Sequence, residues 1–128
     1  YDDEFGDMWR VICEKFDYYN KLFDIYNEYE GINNLCTVNK NAGKSPVSVD
    51  RELIDFMTYA RTVYDITDGK VNIAMGSVLK VWHDYRDAGI ADPENAELPP
   101  KELLEEKSHN CDINKVIIDT EKNEIYFL

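Results

Sequence analysis

The 128-residue chain predicts an α+β fold, and one helical periodicity and one hairpin signal carry that reading. Apolar residues recur at alternating spacings of four and three through Phe5, Trp9, Ile12, Phe16, Tyr19, Phe23 and Tyr26, which is one face of a long amphipathic helix. Near the other end, the runs 113–118 and 124–128 flank Asp119-Thr120-Glu121-Lys122-Asn123, a hairpin signal. A long N-terminal helix, further helical periodicity and a terminal hairpin together predict helices packed on an antiparallel sheet.

The stripe from Phe5 to Tyr26 is expected to be core, since such aromatic rows suit a sheet face better than a coiled-coil seam. Gly31 ends this helical region or the turn after it. Asn33, Asn34, Asn39, Asn41 and Gly43 make a turn-rich connection that leads through Pro46-Val47-Ser48-Val49 to Asp50, a cap for a second helix. Leu53, Ile54, Met57, Ala60 and Val63 or Tyr64 are its buried face. A short third helix starts near Gly76-Ser77, with Val78, Val81, Trp82 and Tyr85 on one side. Residues 87–100 read as an exposed excursion, a lid or a surface loop, and Pro99-Pro100 suits the first turn of a short helix through Leu103-Leu104.

Composition narrows the function classes. Twenty-six acidic against 14 basic residues give a formal charge of −12, which repels phosphate backbones and anionic lipid, so nucleic acid is not expected as a partner. No run approaches the roughly 18 to 20 apolar residues of a membrane span. The start, Tyr1-Asp2-Asp3-Glu4, is neither an initiator Met nor a signal peptide, so the chain reads as part of something longer. Cys13, Cys36 and Cys111 show neither a disulfide framework nor zinc-site spacing and read as reduced, mostly buried thiols. His83 and His109 lack an i, i+4 partner, and no Ser or Cys sits in a nucleophile elbow. Gly69 and Gly76 form neither a Walker A loop nor a dinucleotide fingerprint. Asp84, Asp87, Asp92 and Glu94 lack the order of an EF-hand loop and read as a solvated acidic face.

The densest stretch runs from Thr67-Asp68-Gly69 through Asn72 and Met75-Gly76-Ser77 to Trp82. It joins a forced turn, an extended segment, a Gly at a helix start that allows close approach to backbone, and a Trp of buried type. With the polar run Ile32-Asn33-Asn34-Leu35-Cys36-Thr37-Val38-Asn39-Lys40-Asn41-Ala42-Gly43, it resembles the FAD:protein FMN transferases, the ApbE-type flavin transferases. Thr67, Asp68, Gly69, Asn72, Gly76 and Trp82 match the family run T/S-D-G-x-x-D/N-x-x-x-G-P-L-x-x-x-W, with Ser77 at the usual Pro and Asn72 where Asp is commoner. Asp24-Ile25-Tyr26 and the stretch from Gly31 to Asn39 are similar to the family's S-x-Y and S-E-L/I-S-x-L-N region.

A flavin or adenine ring needs aromatic or Met side chains for its faces and amide groups for its edge, for which Tyr26, Tyr29, Asn72, Met75 and Trp82 are candidates. The resemblance adds Lys70 and Val71, which follow the Asp-Gly turn where family members line FAD, and leaves Tyr26 and Tyr29 as alternatives for the ring contact. It implies a bacterial, extracytoplasmic, lipid-anchored enzyme. That enzyme would use Mg²⁺ to cleave FAD, transfer FMN to a Thr or Ser of an acceptor flavoprotein and release AMP. The family's later D-L-G-G/S-I-A-K-G and H-I-I-D-P-x-T-G motifs do not occur here. Residues 1–128 are therefore expected to be an amino-terminal portion with an incomplete fold, inactive alone, holding neither catalytic residues nor metal ligands. The strand 124–128 is expected to leave an unpaired edge that seeks a second copy or exposes an apolar patch. A non-catalytic FAD-binding or storage protein and an acidic protein-interaction domain are the alternatives.

Overall fold

The computed structural model describes residues 2–128. They fall into two compact units, one formed by the described residues up to Thr58 together with Ile117–Leu128, the other by Tyr59–Val116. Helix α1 (Asp2–Leu22), helix α2 (Leu35–Lys40), strand β1 (Val47–Ser48) and the start of helix α3 (Arg51–Ile66) belong to the first unit, as do nearly all of β2 (Val116–Asp119) and β3 (Glu124–Phe127). The second contains the rest of α3, helix α4 (Gly76–Ala91) and helix α5 (Lys101–Ser108), with 3-10 turns at Pro93–Asn95 and Ile113–Lys115. The α+β class and the small antiparallel sheet are as predicted.

Helix α1 ends four residues before Tyr26 because Asp24 offers the backbone a better partner than the next helical turn. Its carboxylate accepts the amides of Tyr26 at 2.7 Å and Asn27 at 3.2 Å, an Asx-type turn that competes with helix continuation. The chain then turns at Gly31, whose φ of 77° is open to Gly at little cost. Asn34 caps α2 from a fully buried position. Its Oδ1 accepts from the Thr37 amide at 3.0 Å and the Thr37 hydroxyl at 3.1 Å, while its Nδ2 donates to the carbonyls of Lys21 at 2.9 Å and Asn27 at 2.8 Å. Leu22, Cys36, Val38, Leu53, Ile54, Met57 and Ile125 are buried in the same unit.

Several sequence expectations need correction. Residues 33–49 hold a short helix and a strand, where a plain connection was expected; both are too short to show a period. The stripe on α1 is not core within the described residues: Phe5 is 70% exposed, Trp9 58% and Phe16 69%, and of the helix only Leu22 is buried. A 21-residue helix is roughly 30 Å long, more than this small core covers. The first unit meets only its last turns, where Tyr19 stacks on Phe23 at 5.8 Å and Phe23 packs against Phe56 at 4.8 Å. Cys13 is consequently an exposed thiol.

The sheet order is β1-β3-β2, with Val47 opposite Ile125 and Ser48 opposite Glu124. Strand β3 is therefore the middle strand with a neighbour on both sides, and the unpaired edge expected at 124–128 does not exist there. Helix α4 runs on to Ala91 and absorbs the start of the expected excursion, of which Pro99 is buried. The segment after the Asp68-Gly69 turn is a series of turns, without a strand. Among the described residues no helix is long and apolar enough to cross a membrane.

Replacing Asn34 by Ala removes four part-buried hydrogen bonds, to the Lys21 and Asn27 carbonyls and to the amide and hydroxyl of Thr37, each worth about 0.5–1.5 kcal/mol net. Urea unfolding of Asn34→Ala is expected to show a loss of about 3 kcal/mol or more, against less than about 0.5 kcal/mol for Asn39→Ala on the exposed face of α2.

Candidate functional site

The second unit carries an open cleft of about 460 Å³ lined by Gly69, Asn72, Met75 and Val78 on one wall and by Lys101, Leu104, Glu105 and Cys111 on the other. Its first wall begins where α3 stops. Asp68 and Gly69 both take left-handed backbone, φ 52° and 75°, and the Gly69 amide closes on the Tyr64 carbonyl at 2.9 Å. A side chain at Gly69 would be strained by its φ. Thr67 holds the turn from within: its hydroxyl donates to the Val63 carbonyl at 2.8 Å and accepts the Val71 amide at 3.1 Å.

Asn72 braces the next stretch with both ends of its amide. Nδ2 donates to the Cys111 carbonyl at 2.8 Å and Oδ1 accepts the Ala74 amide at 2.8 Å. Met75 then stands before α4, more than a third exposed and at the cleft. The amides of Val78 and Leu79 close on the Met75 carbonyl at 3.1 and 3.0 Å, and the start of α4 carries the positive end of the helix dipole. No neighbour lies within 4 Å of where a Cβ on Gly76 would fall, so no strand makes the close approach this glycine allows, and the space beside it is open to a ligand. Ser77, one residue on, donates to the Lys107 carbonyl at 2.9 Å and lies 3.7 Å from the Cys111 thiol. Across the cleft, Lys101 and Glu105 form an exposed ion pair at 3.2 Å.

The residues singled out in the sequence are thus distributed unevenly. Asn72 and Met75 share one wall of the cleft; Lys70 and Val71 are exposed just before them. Trp82 is 44% exposed, not buried, and lines a smaller cleft of about 250 Å³ with Tyr85, Leu98 and Pro99. Tyr26 and Tyr29 belong to the first unit. Tyr29 donates its hydroxyl to Asp24 at 2.7 Å, whereas the Tyr26 ring is 69% exposed. Donors on Asp24, the Asn27 side chain foremost and then the Tyr26 amide and Tyr29 hydroxyl, hold its carboxyl well below the usual carboxylate range. Bonding to that carboxylate pushes the Tyr29 phenol up, so it stays neutral and committed at physiological pH. Ser77, Cys111 and Leu104 were not singled out as site residues: their partners in the cleft lie far off in sequence, and no periodicity joins them.

The ApbE family model, described as "ApbE family", matches residues 5–127. The FAD:protein FMN transferase of Chlamydia pneumoniae is 23% identical over 88 residues, 69% of this chain and 26% of that protein. The FAD:protein FMN transferase of Treponema pallidum is 30% identical over 82 residues, 64% of this chain and 21% of that protein. The crystal structure of the ApbE protein from Thermotoga maritima superposes with a TM-score of 0.72 at 20% identity, covering 95% of this chain and 37% of that one. The chain therefore spans about a quarter of the length of these two curated relatives, and its fold is that of the Thermotoga protein.

Because Asn72 makes two hydrogen bonds inside the unit, Asn72→Ala is expected to lower the stability of the ligand-free protein by about 1–3 kcal/mol. A thermal melt of the variant beside the parent protein checks it. An unchanged melting temperature would show that the Asn72 amide is not a brace.

Proposed function

This chain belongs to the ApbE family, and we propose that it is an amino-terminal portion of a flavin transferase, supplying part of the FAD pocket. The observation that carries the reading is the 67–78 wall: a family-type Thr-Asp-Gly turn with two left-handed residues delivers Asn72, Met75 and the α4 N-terminus to one open cleft. Its volume of about 460 Å³ falls in the usual range for small-molecule sites. Met75, Val78 and Leu104 offer apolar contacts to a ring face, while Lys70 and the α4 N-terminus favour anionic groups. Val71 is an exposed apolar contact beside them. Of the two tyrosines in the first unit, Tyr26 is exposed, while the Tyr29 hydroxyl is engaged by Asp24.

In the intact protein, FAD is the substrate. Its pyrophosphate bond breaks, the FMN phosphorus bonds to a Thr or Ser oxygen of an acceptor flavoprotein, the hydroxyl proton is lost and AMP leaves. A Mg²⁺ ion would supply charge neutralisation at the phosphates. Among the described residues no group of three His, Cys, Asp or Glu side chains is placed to hold a metal. An extracytoplasmic, lipid-anchored location belongs to the same proposal.

The intact protein incubated with FAD, Mg²⁺ and an acceptor is expected to release AMP and to add one FMN mass to an acceptor Thr or Ser. Mass spectrometry of the acceptor and chromatography of the nucleotides read both. FAD bound but never cleaved would make this a flavin-binding or storage protein. No flavin association at all would favour an acidic interaction domain.

A further inference from the structure

We propose that Ser77 is a positioning residue that sets the width of the cleft by tying its two walls together, an inference that rests on the flavin reading of that cleft. Helix α5 forms most of the second wall, yet it has no buried residue; Leu103 and Leu104 are only half-buried. Apolar burial therefore holds α5 weakly, and polar contacts at its end decide where it stands. Two side chains of the first wall make such contacts. Asn72 donates to the carbonyl of Cys111 at 2.8 Å, and Ser77 donates to the carbonyl of Lys107 at 2.9 Å.

The Lys107 carbonyl lies in the last turn of α5 and already accepts the Asn110 amide at 3.2 Å, so the Ser77 hydroxyl is a second, shorter donor to the end of the helix. Ser77 sits in the first turn of α4, so its hydroxyl fastens the start of one helix to the end of the other. The Cys111 thiol completes the contact, 3.7 Å from the Ser77 oxygen and 3.9 Å from the Lys107 carbonyl. Without the hydroxyl, the Asn72 bond to the Cys111 carbonyl still ties the wall carrying Lys101 and Leu104 to the first wall, but the end of α5 loses its bond to the start of α4. Ser77 touches no ligand in this scheme; it acts through α5.

The test uses the intact protein as parent, Ser77→Ala and Ser77→Thr. Ser77→Ala is expected to weaken FAD binding by about two- to tenfold, the range of one lost hydrogen bond, and to speed amide exchange in α5. It should also alter the visible circular dichroism of bound flavin, which a general loss of stability would leave unmoved. Ser77→Thr keeps the hydroxyl and should restore all three. Parent-like affinity and flavin spectrum in Ser77→Ala would overturn the proposal. Were the parent protein itself not to bind FAD, the functional reading would fail separately. Exchange in α5 would then decide: faster in Ser77→Ala and restored in Ser77→Thr supports the tie, unchanged exchange overturns it.

Discussion

The buried carboxamide of Asn34 is the interaction on which the first unit depends. Three different segments end at it: the carbonyl of Lys21 near the end of α1, the carbonyl of Asn27 in the loop, and the Thr37 amide that opens α2. A backbone group shielded from water without a partner costs free energy comparable to a lost hydrogen bond, and one buried side chain bonds to all three. Asn34 is fully buried, as are Leu22, Val38, Leu53 and Ile125 of the same unit, so its amide is shielded from water and its hydrogen bonds count for more. A hydrophobic residue there would strand the backbone.

The same device recurs in the second unit, with less apolar burial behind it. Ala60, Val81, Ile113 and Val116 are its buried apolar residues, a small core for three helices. Arg61 donates to the Val116 carbonyl at 3.1 Å, Asn72 to Cys111 and Ser77 to Lys107, so each closes a distant turn through a backbone acceptor. A unit held this way keeps an open cleft without filling it with side chains. That suits a site which a ligand, not the core, completes.

Legibility in the sequence followed the length of each signal. Helices α1 and α3 were readable because a period repeats several times in each, and the 113–128 hairpin because turn residues 119–123 stand between two apolar runs. Helix α2 has six residues and β1 has two, so neither shows a period, and the Asn-rich composition there read as a turn. The burial of α1 was misjudged because periodicity reports which residues share a face, not whether anything covers it. At the cleft, the Asp68-Gly69 turn was legible as a dipeptide. The roles of Ser77 and Cys111 were not, because Ser77 meets a carbonyl 30 residues away and the Cys111 carbonyl is met from 39 residues away, beyond any local pattern.

The central claim is that the wall carrying Asn72 and Met75 meets the flavin, and methyl NMR of the intact protein tests it most directly. With methionine methyls labelled and Met75 assigned by substitution, titration with FAD should move the Met75 signal upfield by the ring current of a stacked aromatic system, in step with binding. The signal of Met57, buried in the first unit, should stay in place. A protein that binds FAD while the Met75 methyl does not move would contradict the account, since the flavin would then lie elsewhere.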